Sequence, residues 1–202
     1  MILAIDTSTA ACSAALFSGT GELIGGNDEM IGRGHAERLM PMVAELLKGR
    51  RPQAILVGVG PGSFTGIRVG IAAAHGMAIG WGTEISGMSS LALLVAGAGR
   101  GQPVAGAIPG GHGELFVQQF GSALQATSPL LNLPPAVAAA AIDAELVVGP
   151  GAVALVEARG SGEAIDRWPS ADRALSLPVA LRSLAAAPLY ARAPDARVKS
   201  AA

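Results

Sequence analysis

The chain has 202 residues, half of them hydrophobic and 14% charged, with a formal net charge of −1 and a single cysteine. It is long enough for a sizeable core and too apolar to stay disordered, and one cysteine excludes an internal disulfide. A near-neutral chain with no basic face beyond Arg50-Arg51 and a thin C-terminal scatter also argues against direct gripping of nucleic acid through its phosphates, which needs a cationic surface.

Ile2-Leu3-Ala4-Ile5 reads as a buried strand running into Asp6-Thr7-Ser8-Thr9. It meets an acid at once and has no basic flank, which is unlike a secretory leader. Residues 12–17 form a second strand, and Gly19-Thr20-Gly21 turns the chain into a third, centred on residues 22–26 and extending towards Met30. Gly32-Arg33-Gly34-His35 breaks this antiparallel meander. From Ala36 the apolar positions Ala36, Leu39, Met40, Val43, Leu46 and Leu47 recur at helical spacing, with Pro41 expected to bend the helix or mark its first turn. Gly49 ends it.

The densest signal follows. Residues 55–59 are a run of mostly branched apolar side chains, a strand buried on both faces, and Gly60-Pro61-Gly62 forces a tight turn. Ser63 or Thr65 can cap the next helix by accepting a bond from its free N–H groups. Strand, glycine turn and helix N-terminus is a geometry in which amides and the helix dipole face an anion. A purely structural turn accounts for the same residues. Inside the helix, Gly66, Gly70, Gly76 and Gly80 each cost about 1 kcal/mol relative to alanine, roughly 3–4 kcal/mol together. A fold carries that cost where another backbone comes close, either within one domain or from a partner chain. The longest apolar stretch, residues 69–81, is interrupted by His75 and falls short of the ~20 residues of a membrane span.

Glu84-Ile85-Ser86 adds a strand and residues 88–98 a helix, which completes the order β-β-β-α-β-α-β-α by Arg100. Gly99-Arg100-Gly101-Gln102-Pro103 is the best linker, so the expected units are residues 1–100, a smaller lobe over 103–193 and a frayed tail over 194–202. In the second unit, residues 104–108 and 114–120 are strand-like and residues 136–141 favour a helix. Leu146-Val147-Val148 runs into Gly149-Pro150-Gly151, an echo of the first glycine turn, and residues 171–187 are expected to form a closing helix broken at Pro178. The expected fold is α/β, with two similar lobes of which the second is degenerate.

The chemistry is sparse. A metal site needs several converging His, Cys or carboxylate ligands, and His35, His75 and His112 are far apart in sequence, none with another ligand at helical spacing. Ser63 is out of register with the G-x-S-x-G elbow, since Pro61 and Thr65 flank it two residues away, and Cys12 sits mid-strand as a small buried thiol. Walker A ends in Gly-Lys-Ser/Thr, and Gly66-Ile67-Arg68 lacks the lysine. Residues 58–63 approximate G-x-G-x-x-G with Glu84 at a suitable distance, but three antiparallel strands precede them, unlike a dinucleotide-binding unit. Asp6-Thr7-Ser8-Thr9 is more suggestive. Hydroxyls and an acid at such a turn can hold a phosphate and its hydrated Mg²⁺, or make a stabilising Asx-turn. The candidate phosphate-loop set is therefore Asp6, Thr7, Ser8, Gly60, Gly62 and Ser63, with no catalytic or metal-ligating residues.

Three stretches carry a specific likeness: Met1-Ile2-Leu3-Ala4-Ile5-Asp6-Thr7-Ser8-Thr9, Gly34-His35-Ala36-Glu37-Arg38-Leu39-Met40-Pro41, and above all Gly60-Pro61-Gly62-Ser63-Phe64-Thr65-Gly66-Ile67-Arg68. They resemble the TsaB (YeaZ) family, as does Pro188-Leu189-Tyr190-Ala191-Arg192; the likeness is dense over the first hundred residues and patchy beyond. The resemblance implies an actin-like (ASKHA) fold of two ribonuclease-H-like lobes. It also implies a cytoplasmic, non-catalytic scaffold and activator that works with TsaD and the ATPase TsaE. Together they attach threonylcarbamoyl to adenosine 37 of tRNAs reading codons that start with A.

TsaD holds its metal with an H-x-x-x-H, and the comparable Ser86-Gly87-Met88-Ser89-Ser90-Leu91-Ala92 has no histidine. The implied cofactor set of this chain is empty, with ATP, ADP and Mg belonging to the complex. The implied partners are TsaD, TsaE, a second copy when alone, and tRNA only through the complex. The two helices are expected to form one partner surface built on Leu39, Val43, Leu46, Gly66, Gly70, Ala73 and Met77. One departure stands out: where the family reads Asp-Ala-Arg-x-Gly-Glu-Val-Tyr, this chain has Pro109-Gly110-Gly111-His112-Gly113-Glu114-Leu115-Phe116, without the acid and the arginine. The alternative class is an enzyme in its own right, an actin-fold nucleotide-dependent kinase or a glycoprotease-like peptidase. A kinase needs a second phosphate loop, for which only Gly149-Pro150-Gly151 offers itself, and a peptidase needs a nucleophile or a metal.

Overall fold

The computed structural model describes residues 1–99 and 101–189. Arg100 of the expected linker, the expected tail over 194–202, and Tyr190, Ala191 and Arg192 lie outside the described residues. The first half runs β1 (Ile2–Asp6), β2 (Ala11–Phe17), β3 (Leu23–Met30), α1 (His35–Leu47), β4 (Ala54–Gly58), α2 (Phe64–Trp81), β5 (Glu84–Met88) and α3 (Ser90–Val95). The second half runs β6 (Val104–Gly111), β7 (Glu114–Phe120), β8 (Leu131–Leu133), α4 (Pro135–Ala141), β9 (Leu146–Val148), α5 (Ala152–Arg159) and β10 (Glu163–Ile165). A 3₁₀ segment (Ala171–Ser176) and one turn of helix, α6 (Val179–Arg182), close it.

The two halves build the same sheet twice. In the first, the order is β3-β2-β1-β4-β5, with β1 antiparallel to β2 and parallel to β4. In the second, read from the other edge, the order is β8-β7-β6-β9-β10, with β6 antiparallel to β7 and parallel to β9. This is the α/β architecture of two ribonuclease-H-like lobes, and the second is the thinner one because β8, β9 and β10 have only three residues each.

Both faces of the first sheet are covered, which is why β1 and β2 carry apolar residues at odd and even positions alike. One face packs Leu3, Ile5, Cys12 and Leu16 against Leu39, Val43, Ile67 and Met77 of α1 and α2. The other packs Ala4, Ala15 and Leu56 against α3, whose six residues are all buried. Val104, Ile108 and Phe120 of the second sheet reach the same α3, so this helix is the plug between the lobes.

Several expectations need correction. The helix expected over 88–98 is only α3, because β5 extends to Met88 and Ser89 caps the helix by accepting from Ala92 N–H. α1 continues through Pro41 instead of starting there. The closing helix over 171–187 is a 3₁₀ segment and a single turn, split at Pro178, which serves as the N-cap of α6. This part of the chain also returns to the first sheet. The Ser170 hydroxyl donates to Asp28 at 2.5 Å, Ala171 N–H donates to the Ser13 hydroxyl at 2.6 Å, and that hydroxyl donates to Asp28. Further on, Leu184 pairs with Gly87 beside β5, and Leu189 N–H donates to Val59 O at 2.8 Å.

Candidate functional site

The six phosphate-loop candidates are far apart in sequence, and the fold brings them together. β1 and β4 are parallel neighbours, so the β1–β2 turn and the glycine turn after β4 leave the same end of the sheet. Ser63 N–H donates to Ser8 O at 2.6 Å. Thr7 donates its hydroxyl to Gly66 O at 2.7 Å, across 59 residues of sequence. Ser63 also caps α2, its hydroxyl accepting from Gly66 N–H at 3.2 Å. The Thr7 and Ser63 hydroxyls, which would receive a phosphate, are thus bonded to the start of the helix, and the Ser8 hydroxyl is bonded to Asp6.

Glycine makes this closeness possible. A Cβ on Gly62 would overlap the Ser8 carbonyl, one on Gly66 the Thr7 carbonyl, and one on Gly70 the Thr7 hydroxyl. Gly60 and Gly62 have φ of 99° and 152°, which favour glycine for a second reason. The helix N-terminus that faces an anion in a phosphate-binding loop here faces the β1–β2 turn itself.

The acid is sealed in as well. Asp6 is completely buried, with one carboxylate oxygen accepting from Ser8 N–H at 2.9 Å and Ser8 Oγ at 2.7 Å, and the other from Ser90 Oγ at 2.6 Å. Burial pushes its pKa above the ordinary carboxylate value, against the opposing pull of those bonds. Ser90 also accepts from Gly60 N–H at 3.2 Å, so one hydroxyl ties β1, the glycine turn and α3 together. Ser90 is not among the candidates expected from the sequence; its signal was the Ser89-Ser90 pair directly after a strand, a common helix start. The echo in the second lobe is packed in the same manner. Gly151 N–H donates to Ala107 O at 3.0 Å, and a Cβ on Gly149 would overlap that carbonyl.

The residues expected to form the partner surface sit elsewhere than assumed. Leu39, Val43, Gly66, Gly70 and Met77 are buried in the chain's own core, while Leu46 and Ala73 are half-buried. The Gly66–Gly70 groove is filled from within by Thr7, so as drawn that surface is misplaced. The outer face of the two helices is different. It carries Met40 and Ala44 of α1 and Ala72, Gly76, Ile79 and Gly80 of α2, with Ile79 83% exposed. Nothing lies within 4 Å of a Cβ placed on Gly76 or Gly80. At the start of α2 the Arg68 guanidinium stacks 3.7 Å from the Phe64 ring centroid, on the surface. The histidines do not converge: His35 is buried in α1, His75 contacts Ala186 O at 3.0 Å and His112 lies in the β6–β7 turn. Among the described residues no three His, Cys, Asp or Glu side chains are grouped as metal ligands, and no helix is long and apolar enough to cross a membrane.

Comparisons with known proteins agree with one another. A family model described as "TsaD: tRNA N6-adenosine threonylcarbamoyltransferase" matches residues 25–142. The chain is 38% identical over 128 residues to the tRNA threonylcarbamoyladenosine biosynthesis protein TsaB of Escherichia coli (strain K12), covering 59% of this chain and 54% of that protein. It is 41% identical over 98 residues to the protein of the same name from Haemophilus influenzae, covering 46% and 41% of the two. It thus spans about half the length of the curated relatives it matches. The solved structure of YeaZ from Pseudomonas aeruginosa superposes with a TM-score of 0.80 at 31% identity, over 94% of this chain and 98% of that one.

Proposed function

Because this chain belongs to the TsaD family, and within it to the TsaB (YeaZ) group, we propose that it is a non-catalytic scaffold and activator of cytoplasmic tRNA threonylcarbamoylation, working with TsaD and TsaE on adenosine 37. The observation that carries this reading is the closed β1–β2 turn. A kinase of this fold needs that turn open to a phosphate, and here Thr7 is bonded to α2 and packed against its Gly66 and Gly70, while Ser8 is bonded to Ser63 and packed against Gly62 in the turn before it. What remains for the chain to offer is a surface.

The surface proposed for both TsaD and a second copy is the outer face of α1 and α2. Met40 and Ile79 supply exposed apolar area, and Gly76 and Gly80 let a facing helix approach to backbone distance. Such a face is self-complementary about a two-fold axis, and a homologous partner of the same fold can replace the second copy. Gly76→Leu tests it. The side chain enters open space, so the variant folds, and it should weaken both self-association and TsaD binding at least tenfold by light scattering and titration. Parent-like assembly of the folded variant would show that the surface lies elsewhere. Separately, modified adenosine formed by this chain alone from tRNA and threonylcarbamoyl-adenylate would overturn the scaffold reading.

A further inference from the structure

β3 is the edge of the first sheet, and its outer side has no strand beside it among the described residues. Ile31 N–H donates inward to Ala10 O, which fixes the alternation along the β2–β3 pair. Gly25, Asn27 and Glu29 turn their backbone groups to β2, and Gly26, Asp28 and Met30 turn theirs outward. Beside this edge lies a groove of about 320 Å³ between β3 and α1, lined by Ile24, Gly25, Met42, Glu45 and Leu46, with Lys48 and Arg50 at the end where α1 stops. It is open because Gly25 has no side chain; a Cβ there would come within 3.3 Å of Leu46 Cδ1.

The charges around the groove are not balanced from within. Arg38 is shared between Glu29 at 2.6 Å and Glu45 at 3.0 Å, so that cluster keeps one negative charge, against two positive charges on Lys48 and Arg50. Lys48 and Arg50, with exposed Arg51 next to them, have no carboxylate within ion-pair distance among the described residues. Arg50 spends two donors on Leu46 O and Leu47 O, at 3.1 and 2.9 Å, which anchors its guanidinium at the groove's end.

We propose that β3 and this groove are a docking site for an extended acidic segment of a partner protein, which adds a strand to the sheet edge, inserts one apolar side chain beside Leu46 and places carboxylates on Lys48 and Arg50. Main-chain bonds to an open edge supply affinity in this mode, and a pocket for alternate side chains supplies choice. The chain's own residues 190–202, with Arg192, Arg197 and Lys199 against a single Asp195, do not have the acidic composition that this site calls for. The inference is independent of the outer α1–α2 surface, which lies on the other side of α1.

Selection of a displayed library of random octapeptides against the purified chain tests it. The expected winners combine one or two acids with a β-branched or leucine residue. Their affinity should fall at least tenfold for Gly25→Val, which fills the groove, and for the Lys48→Glu/Arg50→Glu pair, which reverses its end. Binding should also slow amide exchange at Gly26 and Asp28. No enrichment, enrichment of basic peptides, or winners indifferent to both variants would overturn the proposal. So would a groove that takes only unfractionated tRNA, or a self-association abolished by Gly25→Val, since those outcomes assign the edge to another occupant.

Discussion

The four glycines of α2 make a prediction whose sign changes along one helix. Gly76 and Gly80 face open space. Alanine there keeps every contact and gains helix propensity, about 0.5–1 kcal/mol each. Gly66 and Gly70 gain the same propensity, but a Cβ on Gly66 overlaps the Thr7 carbonyl, which is backbone and cannot swing aside. Overpacking of this kind costs about 1–3 kcal/mol, and the backbone position argues for the upper end, leaving Gly66→Ala about 2 kcal/mol less stable. Gly70→Ala meets the Thr7 hydroxyl instead, which can move only by giving up its 2.7 Å bond to Gly66 O. That adds about 1 kcal/mol, for a net loss of about 1–3 kcal/mol. At about 2–4 °C per kcal/mol for a chain of this size, Gly76→Ala and Gly80→Ala should each raise Tm by about 1–4 °C. Gly66→Ala should lower it by about 4–8 °C, and Gly70→Ala by a comparable amount. Circular dichroism melts of the four variants decide the matter. If all four move in one direction, the β1–β2 turn is not held against α2 as described.

Asp6→Asn should keep the turn, since the amide oxygen can still accept from Ser8 while the amide nitrogen donates to Ser90. The raised pKa of Asp6 means the folded state holds its proton to higher pH than the unfolded state does, so the parent loses stability as pH rises from the ordinary carboxylate range through that raised value. The asparagine variant should lack that decline, and urea melts across pH 3–8 that run parallel for both proteins would refute it. Arg167→Met should cost about 1–3 kcal/mol, because the guanidinium donates to Leu94 O and Ala96 O at the end of buried α3 and methionine replaces only its stem. Burial draws the pKa of Arg167 down to about 10, so it still carries its charge at neutral pH. A chemical denaturation midpoint equal to the parent's would mean those carbonyls find other donors.

The first sheet was legible because its strands are punctuated by Gly19-Thr20-Gly21, Gly49 and Gly60-Pro61-Gly62, and because α2 starts at a recognisable cap, Ser63. In the second, β6, β7, α4 and β9 were legible, the three-residue β9 because it runs straight into Gly149-Pro150-Gly151. β8 and β10 have three residues each, too few for a period to show, and α5 has apolar residues all round instead of a stripe. The closing helix was misread because an alanine-rich run has helical propensity, while Ser170 and Leu184 are held by the first sheet, and tertiary bonds override propensity. The candidate loops were found, but their closed state was not, and the spacing does not contain it. Four residues turn a helix by about 40° beyond one full turn and six by about 240°, so all four glycines fall within one arc of about 120° and read as a single groove. What divides them is position along the helix: the β1–β2 turn reaches Gly66 and Gly70 near its start, and nothing reaches Gly76 and Gly80.

The return of residues 167–189 to the first sheet has a consequence for how the protein is made. Ser13 and Asp28 emerge from the ribosome some 140–160 residues before the Ser170 and Ala171 groups that complete them. Until then, the face of β1 and β2 that carries Ala4, Ala15 and Phe17 lacks the cover of Ala171 and Ala174. The nascent first half therefore waits, with apolar surface and the β5 edge uncovered, through the synthesis of the whole second sheet. Contacts of such long separation are slow to form and leave partly folded chains open to association. Translation that stalls between residues 100 and 165 would release a fragment with that surface exposed, a natural target for chaperones and for proteolysis.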